Sequence, residues 1–556
     1  AYRTRDLINL YTQIDGESVK HIIPLGAILQ HDNTAMLSHR ARGQLSFQRT
    51  FGRMHETTVF VGSELSHRSV DSYGFQTYGY DDDILTNVNV DYTNRYPIYD
   101  GLLSTRNIPS YGGFSGSVRR FVSFFGNGAY TYSKRYIVSL SARKDAANLF
   151  GVRTNDKWNP LWSSGLSWIA SNEAFLRDIS WLNLLKLRGT YGHSGNAGGG
   201  GNTRPTILYS SNAPLTNLPY ANISAPPNPY LKWEDVRMIN YGLDFSLFNA
   251  VLSGSLEYFT KKSSDLIAVD PIDPTTGFNT ARRNVAEIRS KGFDLQLNSR
   301  NTNGQVKWSS SVSLSHVRDI VTKFNGTISA TPNYVASSGQ NFTPLLDKVL
   351  YPVFSYKFVG LDPEDGHAIG MLNGVPSTDY SKILTDSLQH LNYHGSGLPL
   401  FYGFLRNNFS YRGVDLSFNL TFKFGYFFQR ETINYSNLFD GWISHSDYEK
   451  RWQKPGDERT TTVPSMNYPN NASMGTFYSR SEATIEKGDH IRLQDIRLSY
   501  AFAPRIGKAE KRITWQCYLT TGNVVLLWTA TKSGLDPDYT NLPPSRNYSF
   551  GLKGTF

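Results

Sequence analysis

The stretch from Gly413 to Phe424 constrains this chain more than any other. It reads G-V-D-L-S-F-N-L-T-F-K-F, with Val414, Leu416, Phe418, Leu420, Phe422 and Phe424 on one parity. Gly413, Asp415, Ser417, Asn419, Thr421 and Lys423 take the other. Side chains alternate across a strand, so this segment has one wholly apolar face and one wholly polar face. Strict alternation over about 10 residues is long enough to cross a bilayer at a tilt. The pattern recurs. Val306, Trp308, Val312 and Leu314 alternate with Lys307, Ser309, Ser311 and Ser313. Phe293, Leu295 and Leu297 alternate with Asp294 and Gln296, and Leu252, Leu256 and Tyr258 with Ser253, Ser255 and Glu257. The run Tyr548–Phe556 alternates again and ends on an aromatic. Soluble β-proteins alternate too, but strands this long and this numerous do not fit readily in one soluble domain. The expected fold class is all-β: a transmembrane antiparallel β-barrel with long extracellular loops.

Composition agrees. Aromatic residues make up 14% of the 556 residues, with 34 Tyr and 32 Phe, as a barrel with aromatic girdles at both interfaces requires. No apolar run approaches the length of a spanning helix. The formal net charge of +10 is scattered, with its densest cluster at Lys508–Arg512. That distribution suits a lumen or turns better than a nucleic-acid surface, so no nucleic-acid partner is expected. Cys517 is the one cysteine, which excludes an intrachain disulfide. Its alternation with Trp515 and Leu519 points it to lipid or core. Arg3, Arg5 and Asp6 interrupt any apolar leader core, so the chain is expected to be a mature product or part of a longer protein.

Alternation and turn residues predict roughly 16 strands. They fall near 5–14, 38–52, 57–69, 119–132, 135–146, 160–170, 183–194, 234–247, 251–266, 287–300, 305–322, 399–411, 414–428, 488–502, 511–525 and 545–556. Tight connections are expected at Ser133-Lys134, Phe248–Ala250, Asn301–Gly304 and Arg412-Gly413. Long ones are expected at 70–118, 195–233, 267–286, 323–398, 429–487 and 526–544. Barrels of this kind have short periplasmic turns and long outer loops. If Phe556 lies at the periplasm, every tight turn falls on that side, provided that Val353–Leu361 belongs to the outer excursion 323–398.

Catalytic constellations are not visible, and an enzyme is the weakest reading. The histidines are dispersed, with no H-E-x-x-H and no cysteine pair for zinc. Gly198–Gly201 is followed by Asn202 and Thr203 rather than Lys-Ser/Thr, so it is a loop and not a phosphate cradle. Asp362, Glu364 and Asp365, or Asp536 and Asp538, could converge on calcium. A turn explains them more simply, because Pro fixes φ and Asp caps its own backbone. No cofactor is expected.

Several blocks in order carry a resemblance. Arg120–Asn127 with Arg135-Tyr136 and Ser141–Asp145 reads R-F-V-S-F-F-G-N … R-Y … S-A-R-K-D. Trp181–Gly192 reads W-L-N-L-L-K-L-R-G-T-Y-G, followed by Ser194-Gly195-Asn196, and Asn228–Glu234 reads N-P-Y-L-K-W-E. Further blocks are Lys291–Leu295, Gly360–Gly366, Arg451-Trp452 before Pro455-Gly456, His490–Tyr500, Gly522–Val524 and Gly534–Asp538. In this order and spacing, over about 119–556, the chain resembles the SusC/RagA family of TonB-linked outer-membrane transporters. Asp365 stands where that family usually has Thr.

The resemblance implies a barrel of 22 strands preceded by a plug and a TonB-binding segment. The chain is then the C-terminal portion of the barrel, with the N-terminal plug and first strands outside it. It also implies TonB-dependent import of a bulky nutrient, an oligosaccharide or a peptide. The implied partners are a SusD-like surface lipoprotein, TonB through the missing N-terminal region, and outer-membrane lipid. The alternative is a structural barrel acting as scaffold or receptor in a larger envelope complex. Trp442, Tyr448 and Trp452, aromatics in a long loop, are the candidate substrate contacts.

Overall fold

The computed structural model describes residues 2–99, 104–148, 158–196, 205–210, 213, 216, 218–326, 330–336, 339–340, 342–441, 443–502, 514–539 and 543–555. The chain forms two units. One comprises Ala1–Leu45, Val61–Phe125 and Lys144–Leu149, and the other Ser46–Phe60, Gly126–Arg143 and Phe150–Phe556.

One antiparallel sheet dominates. Its first strands are β1 (Ala27–Phe51), β2 (His55–Asp81), β3 (Gly112–Tyr132), β4 (Tyr136–Ala147) and β5 (Trp158–Ile169). They are followed by β6 (Leu182–Asn196), β7 (Glu234–Leu247), β8 (Leu252–Pro271), β9 (Thr280–Asn303) and β10 (Val306–Phe324). The last are β11 (Phe401–Tyr411), β12 (Val414–Phe424), β13 (His490–Phe502), β14 (Thr514–Thr529) and β15 (Asn547–Thr555). Neighbours along the chain are neighbours in the sheet, in unbroken order from β1 to β15. Among the described residues, β1 and β15 are the two ends of this path, and Phe556 lies outside the described residues.

Three of the expected tight turns form as predicted, whereas at Asn301–Gly304 β9 stays paired as far as Asn303 and the turn shifts to Gly304-Gln305. Ser133 and Lys134 have φ of 51° and 54°, and Arg412 and Gly413 have 48° and 86°. Two successive positive φ values match the twist of a two-residue hairpin. Between β7 and β8, Phe248, Asn249 and Ala250 have φ of 54°, 55° and 58°. Short connections follow β1, β3, β7, β9 and β11, and long ones follow β2, β6, β10, β12 and β14. In an up-and-down sheet this places those short connections at one end and those long ones at the other, with the β8–β9 connection at the long-loop end.

Register partners fix the faces. Leu420 sits opposite Leu405 on β11 and Leu493 on β13, and Leu416 opposite Phe409 and Leu498. Leu256 faces Leu243 and Leu295, and Leu243 faces Leu187. Cys517 joins this apolar face between Tyr500 and Leu552. Polar groups interrupt it locally. Asn407 is buried there, and its Oδ1 accepts hydrogen bonds from Trp308 Nε1 at 2.9 Å and Ser310 Oγ at 2.6 Å.

Three expectations need correction. The segment 5–14 is not a strand. Tyr2–Tyr11 is a helix, and Thr12–Asp15 then pairs with Ser18–His21. Leu7, Ile8, Leu10 and Tyr11 follow a helical spacing, which wins over alternation here. Ile8 and Tyr11 are buried in a small core with Ile23, Tyr78, Ile98 and Ile108. The Tyr11 hydroxyl donates to the Asn107 carbonyl at 2.6 Å, and that of Tyr78 to Pro109 at 2.7 Å. Second, 267–286 is mostly ladder, since β8 and β9 stay paired as far as Pro271 and Thr280. The connection is short, with the Asp273 carboxylate accepting from Thr275 N–H and Gly277 at φ 84°. Third, 70–118 shrinks because β2 runs on to Asp81 and β3 begins at Gly112. Backbone pairing needs no apolar face, so strands can outrun the alternation that reveals them.

Val353–Leu361 does lie outside the main sheet. It splits into Pro352–Ser355, paired with Asn392–Ser396, and Phe358–Leu361, paired with Ala368–Leu372. Lys508–Arg512 and Gly198–Gly201 lie outside the described residues.

Candidate functional site: the polar wall and the loop cap

The polar face of the sheet is cross-braced. Arg188 on β6 reaches Asp244 on β7 at 3.2 Å and also pairs with Glu257 on β8, whose second oxygen accepts from Asn240 Nδ2 at 2.9 Å. Ser315 donates to Asp294 at 2.5 Å, and Asn419 to Asp495 at 3.1 Å. Alternation dictates this: most of these residues are flanked by apolar neighbours that take the other face. The result is a wall of charged and amide groups satisfied by one another, which suits a water-filled lumen.

The long-loop end carries a core of its own. The excursions between β10 and β11 and between β12 and β13 bury Tyr334, Phe354, Tyr356, Tyr380, Ile383, Tyr435, Met474, Phe477 and Tyr478 together. Three of the buried tyrosines spend their hydroxyls on backbone carbonyls: Tyr380 on Ala368 at 2.7 Å, Tyr435 on Pro464 at 2.7 Å, and Tyr356 on Leu384 at 3.0 Å. Burial pushes the Tyr356 phenol up to about 12. These loops are therefore a packed cap and not loose connections.

A charged cavity of about 640 Å³ opens in this cap. Arg430 stands in its wall, its side chain 11% exposed, paired with Asp447 and with Glu486 Oε1 at 3.3 Å. Thr432 Oγ1 donates to Asp447 at 2.8 Å, and Ser533 Oγ to Glu486 at 2.9 Å. Burial opposes ionisation of Asp447, but its hydrogen bond to Arg430 and the guanidinium charge outweigh it and hold the carboxyl below its ordinary value. Lys450, Arg451, Asp457, Glu482 and Lys532 also line it. No local sequence pattern joins residues 430, 447 and 486, so sequence reasoning missed this cluster.

Both G-L-D-P blocks are turns. Asp362 Oδ1 accepts from Glu364 N–H at 2.8 Å, and Asp365 Oδ1 from His367 N–H at 2.9 Å. Asp536 accepts from Arg492 at 2.6 Å, while Asp538 accepts from Lys423 at 2.8 Å and lies 3.3 Å from His490 Nε2. Burial alone would raise the Asp538 pKa, but the hydrogen bonds and charges of His490 and Lys423 drive it well below its ordinary value. Among the described residues, no group of acidic, His or Cys side chains has the arrangement of a metal site.

Of the candidate aromatics, Trp442 lies outside the described residues. Tyr448 is half-buried against the cap core, with the Arg451 guanidinium 4.0 Å from its ring centroid. Trp452 is buried at 7% exposure, its ring against Gly366 and its backbone N–H on the Val463 carbonyl. Trp452 thus packs inside the cap and does not present an open face.

A family model described as TonB dependent receptor-like, beta-barrel, matches residues 2–362. The chain belongs to that family. TonB-dependent receptor barrels are outer-membrane proteins, so the fold is a transmembrane barrel wall whose apolar face meets lipid, with its short turns periplasmic and its long loops extracellular. The family consists of receptors and transporters. The TonB-dependent receptor P26 of Formosa agariphila is 28% identical over 536 residues, covering 89% of this chain and 49% of its own length. TonB-dependent receptor SusC of Bacteroides thetaiotaomicron is 28% identical over 213 residues, 37% of this chain and 21% of SusC. The RagAB peptide importer in its open-open state superposes with a TM-score of 0.74 at 20% identity, over 95% of this chain and 56% of that one. The chain therefore spans about half the length of the relatives that it matches over most of its own length.

Proposed function

We propose that this chain forms part of the wall and cap of a SusC/RagA-type importer. It would carry a bulky polar nutrient, an oligosaccharide or a peptide, across the outer membrane with energy supplied through TonB. The observation that carries the reading is the packed loop cap with its charged cavity, standing at the end of a polar wall. A passive scaffold has no need of a water-accessible cavity lined by ion pairs beneath folded loops, whereas a solute with hydroxyls, amides or charged termini would find partners there. The RagAB peptide transporter, whose fold this chain shares, supports the peptide arm of this substrate class.

In this reading a SusD-like lipoprotein seats on the cap, and plug and TonB-binding segments belong to the same receptor. The strands β1–β15 form the C-terminal portion of a larger barrel. Its remaining strands would cover the two sheet ends, which otherwise expose unpaired backbone groups. Substrate contact is assigned to the cavity around Arg430 and Lys450, to Trp442 and to the open edge of Tyr448. The test is uptake of labelled oligosaccharides and peptides by cells carrying or lacking the intact receptor gene, each with and without TonB. Uptake that needs both is expected. Uptake unchanged by loss of the receptor across both substrate classes would overturn the reading.

A further inference from the structure

The outward face of the barrel wall carries a cluster of cations that transport does not use. Arg237 on β7, Lys262 on β8 and Arg289 on β9 are direct register partners in one row across three strands. Two residues along each strand, Thr260, Lys291 and Arg318 form a second row. Two residues further, Tyr241, Tyr258, Phe293 and His316 form a continuous aromatic row. Alternation therefore puts all these side chains on the face that bears Leu243, Leu256 and Leu295, opposite the Arg188 network.

Height follows from strand geometry. The roughly 10 positions from Leu247, beside the periplasmic turn, to Arg237 span about 33 Å of strand and about 25 Å of height at a tilt near 40°. That is the height of a barrel's apolar band, so the cations stand at its extracellular edge. Corresponding positions elsewhere are aromatic: Phe401 pairs with Phe424, and Phe424 packs on Trp528. The cation cluster is thus a local feature of β7–β10 and not a belt around the wall.

The row is electrostatically incomplete. Like charges directly opposite on neighbouring strands repel. Among the described residues, two carboxylates stand beside the cations on this face: Glu287, which pairs with Lys262 at 2.8 Å, and Asp235, which pairs with His193 at 3.0 Å. Arg237, Arg289 and Lys291 have no acidic partner among those residues. Arg237, Ile239, Thr260, Lys262, Glu287 and Arg289 line a cavity of about 430 Å³. A depression with guanidinium and ammonium groups above and apolar wall below matches an anionic headgroup with its acyl chains directed down the barrel.

We propose that this cavity binds a phosphorylated lipid headgroup of the outer leaflet, with Arg237, Lys262 and Arg289 on the phosphate and the Tyr241–Tyr258 surface beneath its chains. Each cation near an anionic headgroup contributes about fivefold in affinity, so neutralising all three weakens binding about 100-fold.

The test uses the intact receptor in detergent micelles doped with phosphorylated lipid A, with the same lipid after dephosphorylation, or with inorganic phosphate alone. Native mass spectrometry reads the bound lipid. The wild type should retain phosphorylated lipid A and lose it on dephosphorylation, and R237Q/K262Q/R289Q should lose it while keeping the heat-modifiable mobility of a folded barrel. R237K/R289K should retain most binding, which separates lost charge from misfolding. Equal retention by wild type and triple variant, or by the two lipid forms, would overturn the proposal. So would displacement of the lipid by millimolar phosphate, which would indicate a free-anion site, or loss of a copurifying protein in the triple variant with lipid unchanged.

Discussion

Replacing Leu420 by Arg tests the face assignment at the point where it costs most. Leu420 lies on the apolar face between Leu405 and Leu493. It stands about 6 residues past the Arg412-Gly413 turn, hence about 20 Å along the strand and about 15 Å above the periplasmic edge at a tilt near 40°. That is close to the middle of the apolar band, where an arginine on the lipid face costs about 2–4 kcal/mol. A cost of about 3 kcal/mol shifts the folded-to-unfolded ratio about 100-fold. The neighbouring Thr421 pairs with Phe404 and Arg492 on the alternate parity. Thr421→Arg therefore enters the polar lumen and should change stability by no more than about 0.5 kcal/mol. Urea unfolding of the intact receptor in phospholipid vesicles, followed by tryptophan fluorescence, measures both. Equal costs for the two variants would refute the reasoning, whatever their absolute size.

The cap offers a second test. Gly366 has φ 73°, and a Cβ there would lie 2.3 Å from the Trp452 ring. Gly366→Ala should therefore cost about 1–3 kcal/mol of local stability, read as faster hydrogen exchange across the packed helix Ala472–Ser479 with barrel strands unaffected. Acid gives a third. Because the Asp538 pKa is depressed in the folded state, its ion pairs stabilise fully above the ordinary aspartate value of about 3.9 and lose that contribution as pH falls below it. Protease sensitivity of the β14–β15 loop should rise below that pH in the wild type, whereas Asp538→Asn should be sensitive already at neutral pH.

What the sequence determined was periodicity. Alternation from Val414 to Phe424 specifies a strand, its length and its two faces with no further information, because the side-chain period of a strand is fixed by backbone geometry. The turns at Ser133-Lys134 and Arg412-Gly413 were legible for the same local reason, and their common end followed from counting. Periodicity misled at residues 5–14, where a short helix and a short strand share apolar positions and the core around Ile8 and Tyr11 decided between them. It was silent where pairing continues without an apolar face, as at Pro271 opposite Thr280.

The cap was beyond its reach altogether. Trp452 reads in sequence as an aromatic free to stack on a solute, and only the approach of Gly366 shows the ring to be packed. Arg430, Asp447 and Glu486 meet across long excursions with no shared motif. Arg237, Lys262 and Arg289 become a cluster only through the register of three strands. Local chemistry fixes which way each side chain points, but which charges face each other depends on contacts between residues far apart in the chain, and these the tertiary fold alone decides.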